Sequence, residues 1–175
     1  TGVGAAPDVF VSAGADLGDA ALGGLAERHA VVIGAGHMSA LAVQHLRQRG
    51  VATVRVLNRS LERARALAER TSAAHGDLAD LPQALAEADV VVSATGAAGI
   101  VLTEPLVLDA LGERNRPLYV LDLAVPRDVE PSVGSLPDVT LVDIDGLRAS
   151  VAVRAAETDA DIERLEAIFP QGVCD

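Results

Sequence analysis

The sequence predicts an α/β domain built on a doubly wound parallel sheet, and three observations predict it. Short apolar runs rich in Val, Leu and Ile recur at a spacing of roughly 20 to 30 residues, each followed by a helical pattern. Half of the 175 residues are hydrophobic, yet only Phe10, Tyr119 and Phe169 are aromatic. The core must therefore be aliphatic, as a parallel sheet covered on both faces requires. Finally, the run Ala30-Val31-Val32-Ile33 stops at Gly34-Ala35-Gly36, and Leu41, Ala42, His45 and Leu46 then continue at helical spacing towards Gly50.

Taken in order, residues 1–16 are rich in Gly, Ala, Ser and Asp, show little periodicity and read as a loop-like lead-in. Residues 17–28 place Leu17, Ala20, Ala21, Leu25 and Ala26 at helical spacing. Gly23-Gly24 weakens that helix by about 1 kcal/mol per glycine relative to alanine. After the first strand and helix, residues 53–57 form a second strand, Asn58-Arg59-Ser60 a turn, and residues 61–71 a helix rich in Ala and Arg. A weak third strand falls within 73–78. Asp80 is a candidate N-cap for a helix over 81–88, with Pro82 tolerated in its first turn. Residues 89–93 are the fourth strand. Thr103 caps a helix to Leu111, with Glu104-Pro105 in its first turn. Residues 118–122 and 139–142 are the fifth and sixth strands. Right-handed crossovers then give the strand order 3-2-1-4-5-6. A last helix starts at Asp145, where Leu147, Val151, Thr158, Ile162, Leu165 and Phe169 trace one stripe between polar residues. It either packs back on its own domain or opens a dimer helix. The expected organisation is a lead-in over 1–24, a dinucleotide-binding domain over 25–147, and a helix with a tail over 148–175.

Composition narrows the function. The net charge is −11, and all 14 basic residues are arginines. An acidic chain with few aromatic platforms is not expected to grip nucleic acid by itself. Without lysine there is no lysine-based catalysis. The single cysteine, Cys174, allows neither a disulfide framework nor a thiolate metal site. His29, His45 and His75 show no metal-ligand spacing, so no metal is assigned. No apolar run reaches membrane-spanning length and no signal peptide is recognisable, so the expected compartment is the cytoplasm and no membrane partner is expected. The chain starts at Thr1 and is read as a fragment.

Ligands of doubly wound sheets sit beyond the C-terminal ends of the strands. After the first strand, Gly34 permits a tight turn and Gly36 lets backbone approach a pyrophosphate. The N–H groups opening the helix at His37-Met38-Ser39 then face the phosphates, aided by the helix dipole. Ser39 stands where the third glycine of the dinucleotide fingerprint belongs and is nearly small enough to serve. The whole of Gly34, Ala35, Gly36, His37, Met38 and Ser39 is a candidate cofactor site. A lone histidine at this place either contacts the ligand or is incidental.

At the end of the second strand an NAD site places a carboxylate on the ribose. This chain places Asn58, Arg59 and Ser60, with Arg63 one turn on. A carboxylate repels a 2′-phosphate, whereas guanidinium binds it bidentately, so the expected cofactor is NADPH. Arg65 and Arg70 read as solvated. Ser93, Ala94, Thr95 and Gly96 form a small loop past which a cofactor can run. Leu123, Ala124, Val125 and Pro126, between charged neighbours, suit a nicotinamide floor. Asp122 reads as a buried acceptor of loop N–H groups rather than a catalytic group. No catalytic residue is assigned in this chain.

These segments resemble the NADPH-binding domain of glutamyl-tRNA reductase. The matching runs are VVIGAGHMS at 31–39, LNRSLERARALAE at 57–69, ADVVVSATGA at 88–97, LDLAVPRDVEP at 121–131 and LVDIDGL at 141–147. The last two are the most specific. The resemblance implies an enzyme that reduces the glutamyl ester of tRNA through a cysteine thioester to glutamate-1-semialdehyde, for 5-aminolevulinate and tetrapyrrole synthesis. It implies that the cysteine lies in a separate catalytic domain, that glutamyl-tRNA is held by domains outside this chain, and that the last helix begins a spinal helix leading to a homodimer. The isolated chain would then bind cofactor without turnover. The alternatives are the NADP domain of a shikimate-dehydrogenase-like oxidoreductase and a non-enzymatic dinucleotide-binding module.

Overall fold

The computed structural model describes residues 7–96, 99–112 and 114–168. The strands are β1 (His29–Ile33), β2 (Thr53–Asn58), β3 (Ala74–Asp77), β4 (Val90–Ser93), β5 (Leu118–Asp122) and β6 (Val139–Val142). They form one sheet in the order β3-β2-β1-β4-β5-β6, as expected, and every pairing is parallel. Val31 pairs with Arg55 and Val91, and Val32 with Val56 and Val92, so the aliphatic runs lie side by side at the centre.

Side chains of a strand alternate between faces, and this alternation feeds two cores. Ala30, Val32, Val54 and Val56 pack with α1 (Pro7–Leu22), α2 (His37–Gln48) and α3 (Leu61–Thr71). Val31, Ile33, Leu57 and Val91 pack with α4 (Leu81–Glu87) and α5 (Glu104–Leu111). Thr103 caps α5 as expected and Ser60 caps α3, whereas Asp80, expected to cap α4, makes no side-chain bond to that helix and instead accepts the Asp77 N–H at 3.2 Å, in the turn before it. The Arg63 N–H donates to Ser60 Oγ at 3.3 Å, and the Leu106 N–H to Thr103 Oγ1 at 3.3 Å.

The N-terminal region corrects the reading of residues 1–16 as loop. Helix α1 starts at Pro7, and residues 1–6 lie outside the described residues. Its small residues are the reason for both the helix and the missed periodicity. A Cβ on Gly14 would meet Leu121 Cδ2 at 2.5 Å, and one on Gly18 would meet the Tyr119 ring at 2.9 Å. The backbone thus lies directly on β5, and the buried Tyr119 hydroxyl donates to Gly14 O at 2.7 Å. Close packing outweighs the poor helix propensity of glycine. Nor does Gly23-Gly24 sit inside a helix running to residue 28; it ends α1. Both adopt positive φ, and the Gly24 N–H donates to Asp19 O at 2.8 Å, the bond of a Schellman stop.

The first part of helix α6 (Ile144–Ile168) packs back on its own domain, one of the two expected readings of its stripe. Leu147 is fully buried and Val151 half-buried against the α1 side of the domain. Arg154 reaches Asp16 at 3.0 Å, and Arg49, which follows α2, reaches the same carboxylate at 2.6 Å. Burial raises the Asp16 carboxyl, but these two guanidinium groups outweigh it and hold it below the usual aspartate value. Beyond that clasp Ile162, Leu165 and Ile168 are exposed. Phe169, Pro170 and Cys174 lie outside the described residues. No helix among them is long and apolar enough to cross a membrane.

Candidate cofactor site

The turn after β1 lies at the C-terminal edge of the sheet, between β2 and β4. The Gly34 N–H donates to Leu57 O at 2.8 Å and the Ala94 N–H to Ile33 O at 2.9 Å, so the turn is tied to both neighbours. Gly34 has φ +114°, and a Cβ there would stand 2.5 Å from Ala94 O. Only glycine allows the strand to leave so close to β4. Gly36 is the opposite case: a Cβ there would have nothing within 4 Å. It is the N-cap of α2 and provides no side-chain cap. The first helical bond runs from the Ala40 N–H to Gly36 O at 3.1 Å, so α2 offers no acceptor to the N–H groups of residues 37–39. Open space before an uncapped helix start fits a pyrophosphate. Ser39, in the third-glycine position, is fully buried, and its Oγ has no partner among the described residues.

Beside this turn lies a cleft of about 310 Å³ between β1, the β2 end and the loop after β4. Of the expected residues it brings together Asn58, Arg59, Ser60, Arg63, Thr95 and Gly96. Its apolar walls, Ile33, Leu78 and Val101, are additions that sequence reasoning missed. Ile33 ends a strand already recognised, but Leu78 and Val101 sit in short irregular segments without periodicity. Among the described residues no carboxylate lines the cleft. The nearest acid in the sheet, Asp77, pairs with Asn58 in register, and its Oδ1 accepts the Ala79 N–H at 2.8 Å. Arg59 and Arg63 are both exposed, and neither guanidinium has a carboxylate partner among the described residues.

The remaining expected residues do not line this cleft. Ala35 and Met38 are half-buried against the core. His37 is exposed and lines a different groove, between α2 and α3. Ser93 is fully buried and donates to Asp128 Oδ2 at 2.7 Å. Leu123 and Ala124 are buried, whereas Val125 is 77% exposed and Pro126 is exposed beside it. A larger opening of about 540 Å³, near His29, Thr53 and Arg116, lies at the N-terminal ends of the strands, away from this edge.

Two buried aspartates set the loops around the cleft. Asp122 accepts the Ala124 N–H through Oδ1 and the Asp128 and Val129 N–H groups through Oδ2, each at 3.0 Å. Asp128, which sequence reasoning passed over, accepts the Ser93 hydroxyl, the Thr95 N–H at 2.9 Å and the Thr95 hydroxyl at 2.6 Å. The β5 loop therefore grips the β4 loop. Arg127, between them, reaches Asp143 at 3.0 Å and Asp145 at 3.2 Å. The two most specific sequence runs, DLAVPRD and VDIDGL, thus meet in space.

Burial pushes the Asp122 carboxyl above the usual aspartate value; the three N–H groups oppose this and the Asp128 charge adds to it. A raised folded-state value means that this group's stabilising share is full below the unfolded value of 3.8 and is lost as pH rises through the folded one. Asp122→Asn removes that titration. The stability of the variant relative to the parent is therefore expected to improve as pH rises from 3.8 upward, measured by urea unfolding at a series of pH values.

The family model described as Shikimate / quinate 5-dehydrogenase matches residues 16–150. A curated glutamyl-tRNA reductase of Rubrobacter xylanophilus is 46% identical over 157 residues, covering 90% of this chain and 37% of that protein. The structure of glutamyl-tRNA reductase from Methanopyrus kandleri has a TM-score of 0.83 at 36% identity, over 90% of this chain and 40% of that one. A shikimate dehydrogenase solved in complex with NADP+ shares the fold at a TM-score of 0.55 and 16% identity, over 81% of this chain and 52% of that one. The chain spans little more than a third of the length of the glutamyl-tRNA reductases it matches. The expected resemblance to that enzyme is borne out. With a dinucleotide-binding fold and a match from α1 into α6, the chain belongs to the shikimate / quinate 5-dehydrogenase family and is similar to glutamyl-tRNA reductases.

Proposed function

We propose that the chain is the NADPH-binding domain of a glutamyl-tRNA reductase. The observation that carries this reading is the cleft at the β2 end, which presents Arg59 and Arg63 with Asn58 and Ser60 and no carboxylate. Two guanidinium groups favour a cofactor carrying a 2′-phosphate. The uncapped start of α2 holds the pyrophosphate through backbone N–H groups, and Gly36 gives it room. Thr95 and Gly96 line the same cleft, and Val125 and Pro126, exposed on the β5 loop, would be available to the reacting ring. NADPH, when bound, supplies a hydride. This chain's part is to bind and orient it, with Asp122 and Asp128 holding the two loops in place.

In the full protein the hydride would reduce a glutamyl thioester, formed from glutamyl-tRNA on a catalytic cysteine outside this chain, to glutamate-1-semialdehyde in the cytoplasm. The glutamyl ester itself would be held by other domains, and α6 would continue into a homodimer contact. The test is a chimaera in which this chain replaces the matching 157-residue span of the Rubrobacter xylanophilus enzyme. The chimaera is expected to oxidise NADPH in the presence of glutamyl-tRNA, and the isolated chain is expected not to. A chimaera that folds and binds NADPH yet leaves glutamyl-tRNA unreduced would contradict the reading.

A further inference from the structure

The net charge of −11 conceals a basic segment. Residues 37–72 carry seven arginines and two glutamates, a net charge of +5, which leaves −16 on the rest of the chain. Those residues are α2, β2 and α3, and between the two helices runs a groove of about 540 Å³ with no carboxylate in its lining. His37, Gln44, Arg47 and Gln48 line it from α2, and Arg70 and Thr71 from α3. All of these polar groups can donate hydrogen bonds.

Arg49, Arg55 and Arg65 pair with Asp16, Asp80 and Glu69, but the two arginines that line the groove have no carboxylate partner among the described residues. Arg70 is exposed and has no partner among the described residues. Arg47 is exposed and spends only Nη2, on Ser72 O at 2.6 Å. Glu69, on α3, is taken by Arg65 at 3.0 Å, outside the groove. Seven residues before Arg70, on the same face of α3, stands Arg63 at the mouth of the cofactor cleft. The basic track therefore runs from the cleft along α3 into the groove, over about 10 Å of helix.

We infer that the α2–α3 groove docks the sugar–phosphate backbone of an RNA. Arginine matches phosphate bidentately, and Gln and Thr side chains suit phosphate and 2′-hydroxyl oxygens. The described part of this face offers no aromatic side chain for stacking, so the contact reads backbone and not sequence. This revises the expectation, drawn from net charge, that the chain has no grip on nucleic acid. The inference extends the proposed function by giving its RNA substrate a contact on this domain, remote from the reacting ester.

The test is fluorescence anisotropy of the full chain with a short fluorescein-labelled single-stranded RNA, at about 50 to 200 mM salt. Arg47→Glu with Arg70→Glu is expected to weaken binding at least about tenfold and to lower the log–log salt slope by about 1.4, two contacts at about 0.7 each. Arg148→Glu with Arg164→Glu changes the net charge equally on α6 and is expected to have a far smaller effect. Arg70→Glu alone disturbs no described contact and keeps the test decisive if the double variant misfolds. NADPH affinity is expected to stay unchanged in the groove variants, because neither arginine lines the cleft. Loss of RNA binding in both double variants alike, absence of binding in the parent chain, or groove variants that abolish self-association and leave RNA binding intact would each overturn the inference. Failure of the parent chain to bind NADPH while the RNA pattern holds would remove the proposed function alone.

Discussion

Replacing Asp128 with alanine is expected to lower the stability of the fold by about 3–5 kcal/mol and to abolish cofactor binding. The carboxylate is fully buried and accepts three donors, the Ser93 hydroxyl and the Thr95 N–H and hydroxyl. Alanine leaves those donors facing a void, and a buried donor without a partner costs about 1–3 kcal/mol. Relief of the repulsion between Asp128 and Asp122 offsets part of the loss, which is why the sum stays below three full penalties. Asp128→Asn keeps the shape but turns one acceptor into a donor, and about 2 kcal/mol is expected. Urea unfolding gives the stability change and calorimetry the binding. A variant within about 0.5 kcal/mol of the parent would show that the grip between the β4 and β5 loops is dispensable.

Gly34→Ala is expected to be as damaging, for a different reason. The new Cβ would stand 2.5 Å from Ala94 O and 2.9 Å from Ser39 Oγ. The first obstacle is backbone hydrogen-bonded into the sheet through Ala94 N–H and Ile33 O, so it cannot swing aside like a side-chain tip. The positive φ of +114° adds backbone strain for any residue with a Cβ. Together these terms give about 2–5 kcal/mol. Relief requires β1 and β4 to part at their C-terminal ends, where the turn proposed to hold the pyrophosphate is formed, so NADPH affinity is expected to fall with stability. Gly36→Ala, which adds its Cβ to open space, is expected to leave stability within about 1 kcal/mol of the parent while reducing NADPH affinity. That contrast separates a fold effect from a site effect.

The sheet was legible in the sequence because its strands, β3 apart, are aliphatic runs that stop at small or polar residues such as Gly34, Asn58, Ser93 and Asp122, and because parallel strands are buried on both faces. Even β3, whose sequence Ala-His-Gly-Asp has little strand character, fell where expected, since the crossover from β2 needs a strand there. Helix α1 was not legible before residue 17. Beside Val11 and Leu22 its buried face is made of Ala13, Gly14, Ala15 and Gly18, and the two glycines carry no hydrophobic signal because their function is to lack a side chain beside Leu121 and Tyr119. At the site, Asn58, Arg59, Ser60 and Arg63 could be placed from chemistry alone, since they follow a strand end directly. Asp128 could not, because its partners Ser93 and Thr95 are 33–35 residues away in the chain. The hydroxyls of that loop face the aspartate, and this was hidden behind their apparent suitability for a ligand.

The most direct test of the central claim is a calorimetric titration of the chain with NADPH and then NADH, repeated with Arg59→Ala. Tighter binding of NADPH is expected, by about tenfold or more, with the preference lost in the variant while NADH affinity is retained. Equal affinity for the two cofactors in the parent chain, or a preference for NADPH that survives the loss of Arg59, would contradict the assignment of the β2 end to a 2′-phosphate.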